Sequence, residues 1–432
     1  MTLTPRAAVA LLVLALPVVL LGLPPGPGVG VTLLVLVVLV SLDLVYAGRV
    51  GAVHVTRGGA RQVRRGEPAT VALFVTNGGR RRVRGILRDS WVPSAGAVDE
   101  THRLDVAAGA TRRLTTHLVP TRRGDRAATG VTVRSIGPLG LAAWQRTVPC
   151  PGTVRVVAPF VSRRHLPSML ARLNELDGRT SVRTRGEGTE FDALREYVDG
   201  DDARAIDWRA TARRDEVVVR TWRPERDRAL LVVIDTGRTA AARIIDEPRL
   251  DHLIEATLLL AAVAAAAGDR VDLVAYDRRV RAQVLGAPRG QVLARLVSAT
   301  AALEADLVET DQVGMVSTVL HRAGRGALVV LLTGLDPTAV TESLVPALGP
   351  LVARHRVLLG AVADPGLAAM ARRRGSAASV YEAAAAARTM TERARTVDLL
   401  THRGVQVVDA DPEALPARLV EAYLALKAAG RL

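Results

Sequence analysis

The stretch Ala229-Leu-Leu-Val-Val-Ile-Asp-Thr-Gly-Arg-Thr239 decides the fold of the larger part of the chain. Its first six residues form a continuous apolar run, which is typical of a strand buried on both faces of a parallel sheet. Four further strand patterns follow, separated by helical patterns, at 270–276, 327–332, 357–362 and 405–408. The alternation predicts a three-layer α/β domain with a mainly parallel sheet over residues 229–432.

The beginning of the chain is apolar. Two uncharged or nearly uncharged runs, 7–23 and 29–47, flank the turn Pro24-Pro25-Gly26-Pro27-Gly28. Each run is near the roughly 20 residues that cross a bilayer core, so residues 1–48 are predicted to form a two-helix transmembrane hairpin. Asp43, in the second run, is expected to reach the lipid headgroups. A cleaved signal peptide is the alternative, but no small-x-small cleavage site follows the first run.

Arginine placement predicts the orientation of this hairpin. Arg6 precedes the first run, Arg49 and Arg57 follow the second, and the turn is uncharged. The positive-inside rule then places both termini and the body in the cytoplasm, on the bacterial inner membrane. Residues 49–165 hold 21 arginines and 6 acids, which equals the net charge of +15 of the whole chain. This segment fits an anionic lipid surface, whereas nucleic acid is not expected because aromatic residues are not interleaved.

The middle of the chain has two characters. Residues 49–160 show short alternating runs broken by Gly, Asn and Pro, such as 69–76 and 130–135, which predict a β-sandwich. Residues 161–228 form a separate segment. Within it, 190–198 is predicted to be an amphipathic helix, Asp201-Asp202 is predicted to cap a second helix, and 216–221 is predicted to be a strand.

Several enzyme classes lack their motifs. A P-loop needs a lysine beside a glycine-rich turn, and the only lysine is Lys427, in the predicted last helix. Neither a His-Glu-x-x-His pair nor a Gly-x-Ser-x-Gly elbow is present. Cys150 is the only cysteine, so an intrachain disulfide is excluded. These absences favour a protein without catalysis of its own.

The residues after the first buried strand suggest a degenerate cation site. Asp235-Thr236-Gly237-Arg238-Thr239 resembles the adhesion-site motif Asp-x-Ser-x-Ser of von Willebrand factor A domains. Asp235, Thr239 and Asp311 are the candidate ligands for Mg²⁺ or Mn²⁺, with Thr310 beside Asp311. Glycines stand where the motif has its middle hydroxyl and its later acid. In the alternative interpretation, Asp235 caps the following segment and Gly237 makes the turn.

A second candidate site lies at 186–213, where charges of both signs are interspersed with Phe191, Tyr197 and Trp208. It is either a solvated helical pair or an interaction surface with aromatic and arginine anchors. The run Glu190-Phe-Asp-Ala-Leu-Arg-Glu-Tyr-Val-Asp-Gly-Asp-Asp202, followed by Ile206-Asp-Trp208, resembles the signature of the bacterial domain-of-unknown-function family 58 (DUF58). The candidate partner-binding residues are Glu190, Phe191, Arg195, Tyr197, Asp201, Asp207 and Trp208.

The resemblance to DUF58 implies a partner. Members of that family are often encoded beside MoxR-type AAA+ ATPases, and their last domain is von Willebrand A-like. We therefore expect a membrane-anchored scaffold or adaptor that docks such an ATPase. Two other functions stay open: a metal-dependent hydrolase using Asp235, Asp201 and Asp202, and a binding module for a cell-envelope component, which requires a periplasmic body.

Overall fold

A computed structural model describes residues 1–22, 24–183, 190–198, 205–214, 216–223, 228–324 and 326–430. Contacts divide the chain into two compact units, Met1–Pro159 and Phe160–Leu432.

The first unit combines two helices with two β-sheets. Its elements are β1 Thr2–Leu3, α1 Pro5–Leu20, α2 Pro25–Tyr46, β2 Val53–Gly59, β3 Gln62–Arg64, β4 Ala69–Asn77, β5 Val83–Trp91, β6 Thr101–Val106, β7 Thr111–Leu118, β8 Gly124–Ile136, β9 Ala142–Val148 and β10 Gly152–Val157.

Helices α1 and α2 pack against each other in antiparallel fashion. Gly28 lies against Val18, where a Cβ would overlap the valine side chain, and the Thr32 hydroxyl is 3.5 Å from the Leu14 carbonyl oxygen. Among the described residues, one helix is long and apolar enough to cross a membrane, namely α2 with the turn after it, Pro25–Ala52. Helix α1 is shorter, at 16 residues. The sequence predicted two spans, and only the second meets this criterion.

Asp43, near the end of α2, is completely buried. One carboxylate oxygen accepts a hydrogen bond from the Leu139 amide at 2.7 Å. The other accepts from the amides of Leu141 and Ala142, at 2.7 and 2.8 Å. The expectation that Asp43 reaches the headgroups is therefore wrong, because three backbone donors of the β8–β9 turn satisfy its charge inside the protein.

The two β-sheets pack face to face. One sheet has the order β1-β9-β8-β10-β3, with β5 and β6 joined to it through β8, and the other has the order β2-β4-β7. Leu73 and Val75 of the smaller sheet share a core with Leu87, Val131 and Val133 of the larger one. This β-rich region contains the strands that the sequence predicted at 69–76 and 130–135.

The second unit alternates helices and strands. Its elements are α3 Leu166–Arg183, β11 Glu190–Glu196, α4 Trp208–Arg214, β12 Val218–Arg223, β13 Ala229–Asp235, α5 Arg238–Ala241, β14 Arg243–Ile244, β15 Glu247–Pro248, α6 Arg249–Ala266, β16 Arg270–Tyr276, β17 Val280–Val284, α7 Val292–Ala301, α8 Gln312–Arg322, β18 Leu328–Leu332, α9 Pro337–Ala339, α10 Val345–Arg354, β19 Arg356–Val362, α11 Pro365–Ala371, α12 Ala377–His402, β20 Gln406–Ala410 and α13 Leu415–Ala428.

Six of these strands form one sheet in the order β17-β16-β13-β18-β19-β20. All neighbours are parallel except β16 and β17. Helices α6 and α13 contact the sheet and each other, while α8, α10 and α12 share a second core with alternate residues of its strands. The α/β class and the mainly parallel sheet are confirmed, because the apolar runs are buried on both faces as predicted.

The segment 190–198 does not form the predicted helix. Residues Glu190–Glu196 are strand β11, which pairs antiparallel with β12 and carries an irregularity between Phe191 and Ala193. In the nine residues 190–198 the apolar positions fit both the period of a helix and the period of a strand. Pairing with the β-branched residues of β12 decides in favour of the strand. The following helix begins at Trp208 with Asp207 as its cap, while Asp201 and Asp202 lie outside the described residues.

The last helix is attached to the sheet through a buried ion pair. The Lys427 ammonium nitrogen lies 2.8 Å from Asp269 Oδ1, and the Tyr423 hydroxyl donates a 2.5 Å hydrogen bond to Asp269 Oδ2. The side chains of Lys427 and Asp269 are 12% and 3% exposed. The only lysine of the chain therefore serves the packing of α13 next to the start of β16.

Candidate functional site

Asp235 is the last residue of β13, between the parallel strands β16 and β18. Its side chain is buried, and both carboxylate oxygens are fully engaged. Oδ1 accepts from the Gly237 amide at 2.9 Å and from the Thr310 hydroxyl at 2.5 Å. Oδ2 accepts from the hydroxyls of Thr239 at 3.2 Å and Thr333 at 2.6 Å. One carboxylate thus joins three loops at the carboxyl edge of the sheet.

Gly237 stands where the adhesion motif has its middle hydroxyl, and the structure shows why. A Cβ on Gly237 would overlap the Thr310 hydroxyl and come within 2.8 Å of the Val308 carbonyl oxygen. The Arg238 amide also donates to that carbonyl at 2.8 Å. The segment around Val308–Thr310 therefore occupies the space that a serine at 237 would need.

Gly334 stands where the motif has its later acid, and an arginine fills the space beside it. A Cβ on Gly334 would lie 2.7 Å from Arg249 Nη1 and 3.0 Å from the Thr239 Cβ. The Arg249 guanidinium donates a 2.5 Å hydrogen bond to the Thr239 carbonyl. Burial lowers the pKa of Arg249, assisted by Arg393 and opposed by three nearby acids. Asp336, two positions further on, accepts from the Thr338 and Ala339 amides and caps α9.

The donor set does not fit a divalent cation. It holds one carboxylate, which already accepts four hydrogen bonds, and three hydroxyls beside a guanidinium, whereas Mg²⁺ keeps several waters for which a site must leave room. In the described part of the chain, no group of three or more His, Cys, Asp or Glu side chains is placed to hold a metal. The cavity beside Asp235 measures about 10 Å³, which is room for a single water at most.

The predicted ligands are only partly brought together. Thr239 contacts Asp235, but Asp311 accepts from the Gly314 amide and caps α8 instead. Its neighbour Thr310 makes the contact to Asp235. Sequence reasoning missed the role of Thr333 and the whole of helix α8. The sequence signal for Thr333 was a hydroxyl directly after a buried strand. The signal for α8 was an Asp followed by Val313, Val316 and Val319 at helical spacing.

The candidate partner-binding residues lie around β11, β12 and α4. The Asp207 carboxylate accepts from the amides of Arg209 and Ala210, both at 3.0 Å, which caps α4. The Asp207 amide donates to the Val218 carbonyl at 2.9 Å, and the Tyr197 amide donates to the Val217 carbonyl at 2.8 Å. These bonds hold α4 and the end of β11 beside the start of β12.

Three apolar side chains are exposed where these segments meet. Trp208 is 68% exposed, Val198 62% and Val217 42%. We call Tyr197, Val198, Val217 and Trp208 the Trp208 surface. The backbones of Glu190, Phe191 and Arg195 lie in β11, but their side chains are outside the described part of the structure, as is all of Asp201. The structure therefore places Tyr197, Asp207 and Trp208 on segments that adjoin the start of β12.

Residues 193–377 match the family model "Protein of unknown function DUF58". No curated protein matches the chain. The protein is similar to BatB of Bacteroides thetaiotaomicron, a conserved hypothetical protein, at 13% identity and a TM-score of 0.28, with 46% of this chain and 98% of that one covered. It is also similar to a CARDB domain of Pyrococcus furiosus, at 16% identity and a TM-score of 0.19, with 24% and 93% covered.

Neither solved structure supports an argument at these scores. The family match is specific, and it covers the Trp208 surface, the Asp235 site and most of the α/β sheet. Residues 193–377 of the chain are therefore assigned to DUF58, a family of proteins of unknown function.

Proposed function

We propose that the protein is a membrane-anchored adaptor without catalysis of its own, whose DUF58 domain docks a protein partner in the cytoplasm. The observation that carries this proposal is the Trp208 surface. Trp208 is 68% exposed, two exposed valines lie on the neighbouring segments that adjoin β12, and tryptophan is enriched among residues that dominate binding energy.

The anchor in this proposal is the hairpin of α1 and α2. Its side chains are predominantly apolar and exposed, with values up to 76% at Val19. Both of its ends are joined to the larger β-sheet, because β1 pairs with β9 and Asp43 binds the β8–β9 turn. A hairpin inserted in the bilayer would therefore have both ends on the side of the sandwich, and the placement of the arginines favours the cytoplasm for that side.

The α/β domain supports the proposal through its topology and its closed Asp235 site. A six-stranded sheet with one antiparallel edge strand, and helices on both faces, is what the resemblance to von Willebrand A domains implies for 229–432. We propose that this domain keeps that fold with the cation site replaced by hydrogen bonds. Its role is then to present a rigid surface.

The partner in this proposal is a MoxR-type AAA+ ATPase, as the DUF58 resemblance implies. The full chain in neutral detergent serves as bait for such an ATPase. We expect Trp208→Ala to weaken binding roughly 30-fold or more, as for a buried interface tryptophan. Tyr381→Ala is the matched control, since Tyr381 is a 79% exposed aromatic residue on α12 outside the matched domain. Unchanged binding of Trp208→Ala would overturn the docking surface.

A second pair of variants tests the orientation of α4. Asp207→Ala removes the cap of the helix that carries Trp208, while Asp207→Asn keeps a side-chain oxygen that can accept from the Arg209 and Ala210 amides. We expect loss of ATPase binding in the first variant and retention in the second. Equal binding by both variants would show that the helix cap does not position the docking surface.

A further inference from the structure

We infer that the base of the hairpin is a binding site for anionic phospholipid headgroups, formed by five arginines from separate parts of the first unit. We call them the arginine collar: Arg6, Arg49, Arg81, Arg134 and Arg146. The inference rests on the membrane anchoring proposed above, and it adds the class of lipid and the residues that bind it.

The collar residues are far apart in the sequence, and the fold places them at the base of the hairpin. Arg6 extends over the β8–β9 turn, with its Nη1 2.7 Å from the position of a Cβ on Gly140. Arg134 Nη2 donates to the Thr2 hydroxyl at 3.1 Å and to the Leu3 carbonyl at 3.4 Å. These contacts place two guanidiniums next to the start of α1.

The other three arginines lie next to the end of α2. The Arg81 guanidinium is 5.4 Å from the ring centre of Tyr46, the last residue of α2. Arg146 Nη1 lies 3.5 Å from the Gly51 carbonyl oxygen, and Arg49 lies three residues beyond Tyr46. The collar therefore borders both ends of the hairpin.

The positive charge of the collar is not neutralised within the described residues. None of the five arginines forms an ion pair there, although other exposed arginines of the sandwich do, such as Arg82 with Asp105. The one acid of the hairpin, Asp43, is buried, and three backbone amides occupy its oxygens. Four collar residues are exposed and Arg134 is half-buried.

The chemistry of the collar fits phosphate on a lipid. Guanidinium groups bind phosphate oxygens in a planar, two-pronged geometry. Leu139 and Leu3, which are 51% and 64% exposed at the same base, offer apolar contact beside the arginines. An acidic protein could also bind arginines through its carboxylates. The base of a hairpin that is inserted in a membrane lies next to the lipid headgroups, however, so a lipid phosphate is the ligand that this position favours. Each arginine near an anionic membrane surface contributes about 1 kcal/mol to the free energy of binding to that surface.

The test uses the full chain in neutral detergent, titrated with phosphatidylglycerol, phosphatidylcholine or inorganic phosphate and followed by native mass spectrometry. We expect binding of phosphatidylglycerol but neither of the other two. Arg81→Gln/Arg146→Gln should weaken that binding by about tenfold or more. Equal binding of both lipids, or saturable binding of inorganic phosphate with the same affinity, would overturn the inference.

A matched control separates the collar from overall charge. Arg61→Gln/Arg122→Gln removes the same two charges from exposed positions of the sandwich. Arg122 precedes β8, a 13-residue strand whose other end pairs with β9 near the hairpin, about 40 Å away. Arg61 precedes β3, whose Gln62 and the Asp125 of β8 both pair with Arg155. An equal loss in the control would contradict a specific site.

The same variants distinguish failure of this inference from failure of the anchor. Membrane fractionation of cells that express the wild-type chain tests anchoring alone. A chain that stays in the membrane but shows no lipid preference contradicts only the collar. A chain that leaves the membrane with carbonate-washed soluble proteins contradicts the proposed function as well.

Discussion

At the scale of single residues, two glycines separate the Asp235 loops from the adhesion motif that they resemble. Gly237 is required by the approach of Val308 and Thr310, and Gly334 by the approach of Arg249 and Thr239. The space for two metal-binding side chains is thus filled by the protein's own groups. Asp235 then accepts four hydrogen bonds, where a metal ligand would present free lone pairs.

We predict that this site binds no divalent cation. Calorimetric titration of the full chain in detergent with Mg²⁺ and Mn²⁺ should give no saturable heat up to about 1 mM, the weak end of protein sites for hard cations. The physical reason is the guanidinium of Arg249 beside a single carboxylate. A saturable heat that disappears in Asp235→Asn would contradict this prediction and restore the cation site predicted from the sequence.

At the scale of elements, the junction of α2 with the β8–β9 turn depends on one buried charge. Asp43→Asn removes the charge that three amides share and turns one acceptor into a donor that faces an amide. We expect the free energy of unfolding of the first unit to fall by about 2–4 kcal/mol. Chemical denaturation in detergent measures this change.

Hydrogen exchange localises the effect of Asp43→Asn. The amides of Leu139, Leu141 and Ala142 should exchange faster, because they lose a charged acceptor. Asp99→Asn is the control, since the Asp99 side chain is 65% exposed and its partner His117 lies 3.5 Å away. Equal protection of the three amides in wild type and Asp43→Asn would show that the carboxylate does not hold the turn.

The elements also show how much the sequence could predict. The strands at 229–234 and 270–276 were predicted because their apolar patterns depend only on burial in the sheet. Strand β11 was predicted as a helix because its register is set by β12, some 20 residues later. Asp43 could not be placed from sequence, since its donors come from a turn nearly 100 residues away.

At the scale of the whole molecule, we expect two histidines to make stability depend on pH. Burial lowers the pKa of His102, opposed by Asp89 and Asp99, and its Nε2 lies 3.0 Å from the Thr116 hydroxyl. Burial also lowers the pKa of His355, assisted by Arg354 and opposed by a backbone hydrogen bond to Ala327. Both histidines are therefore harder to protonate in the folded protein than in the unfolded chain.

The sign of this linkage follows from proton uptake. Below the unfolded value of about 6.5, the unfolded chain binds protons that the folded protein does not. We therefore predict that stability falls as pH decreases from about 6.5, until the folded histidines also protonate. Thermal unfolding between pH 7.5 and pH 5 measures this loss, and His102→Gln/His355→Gln should reduce it. A pH slope that is unchanged in the double variant would assign the loss to carboxylates.

The burial of Lys427 has a practical consequence for finding partners. The only lysine side chain is 12% exposed and paired with Asp269, so an amine-reactive cross-linker meets no accessible lysine on this protein. Apart from the N-terminal amine, such a reagent has no exposed amine to couple, so its failure to capture an ATPase would be poor evidence that the two proteins do not associate. Reagents that couple carboxylates, or a photoreactive amino acid introduced at Val217 within the Trp208 surface and at Tyr381 outside it, would report on contact directly.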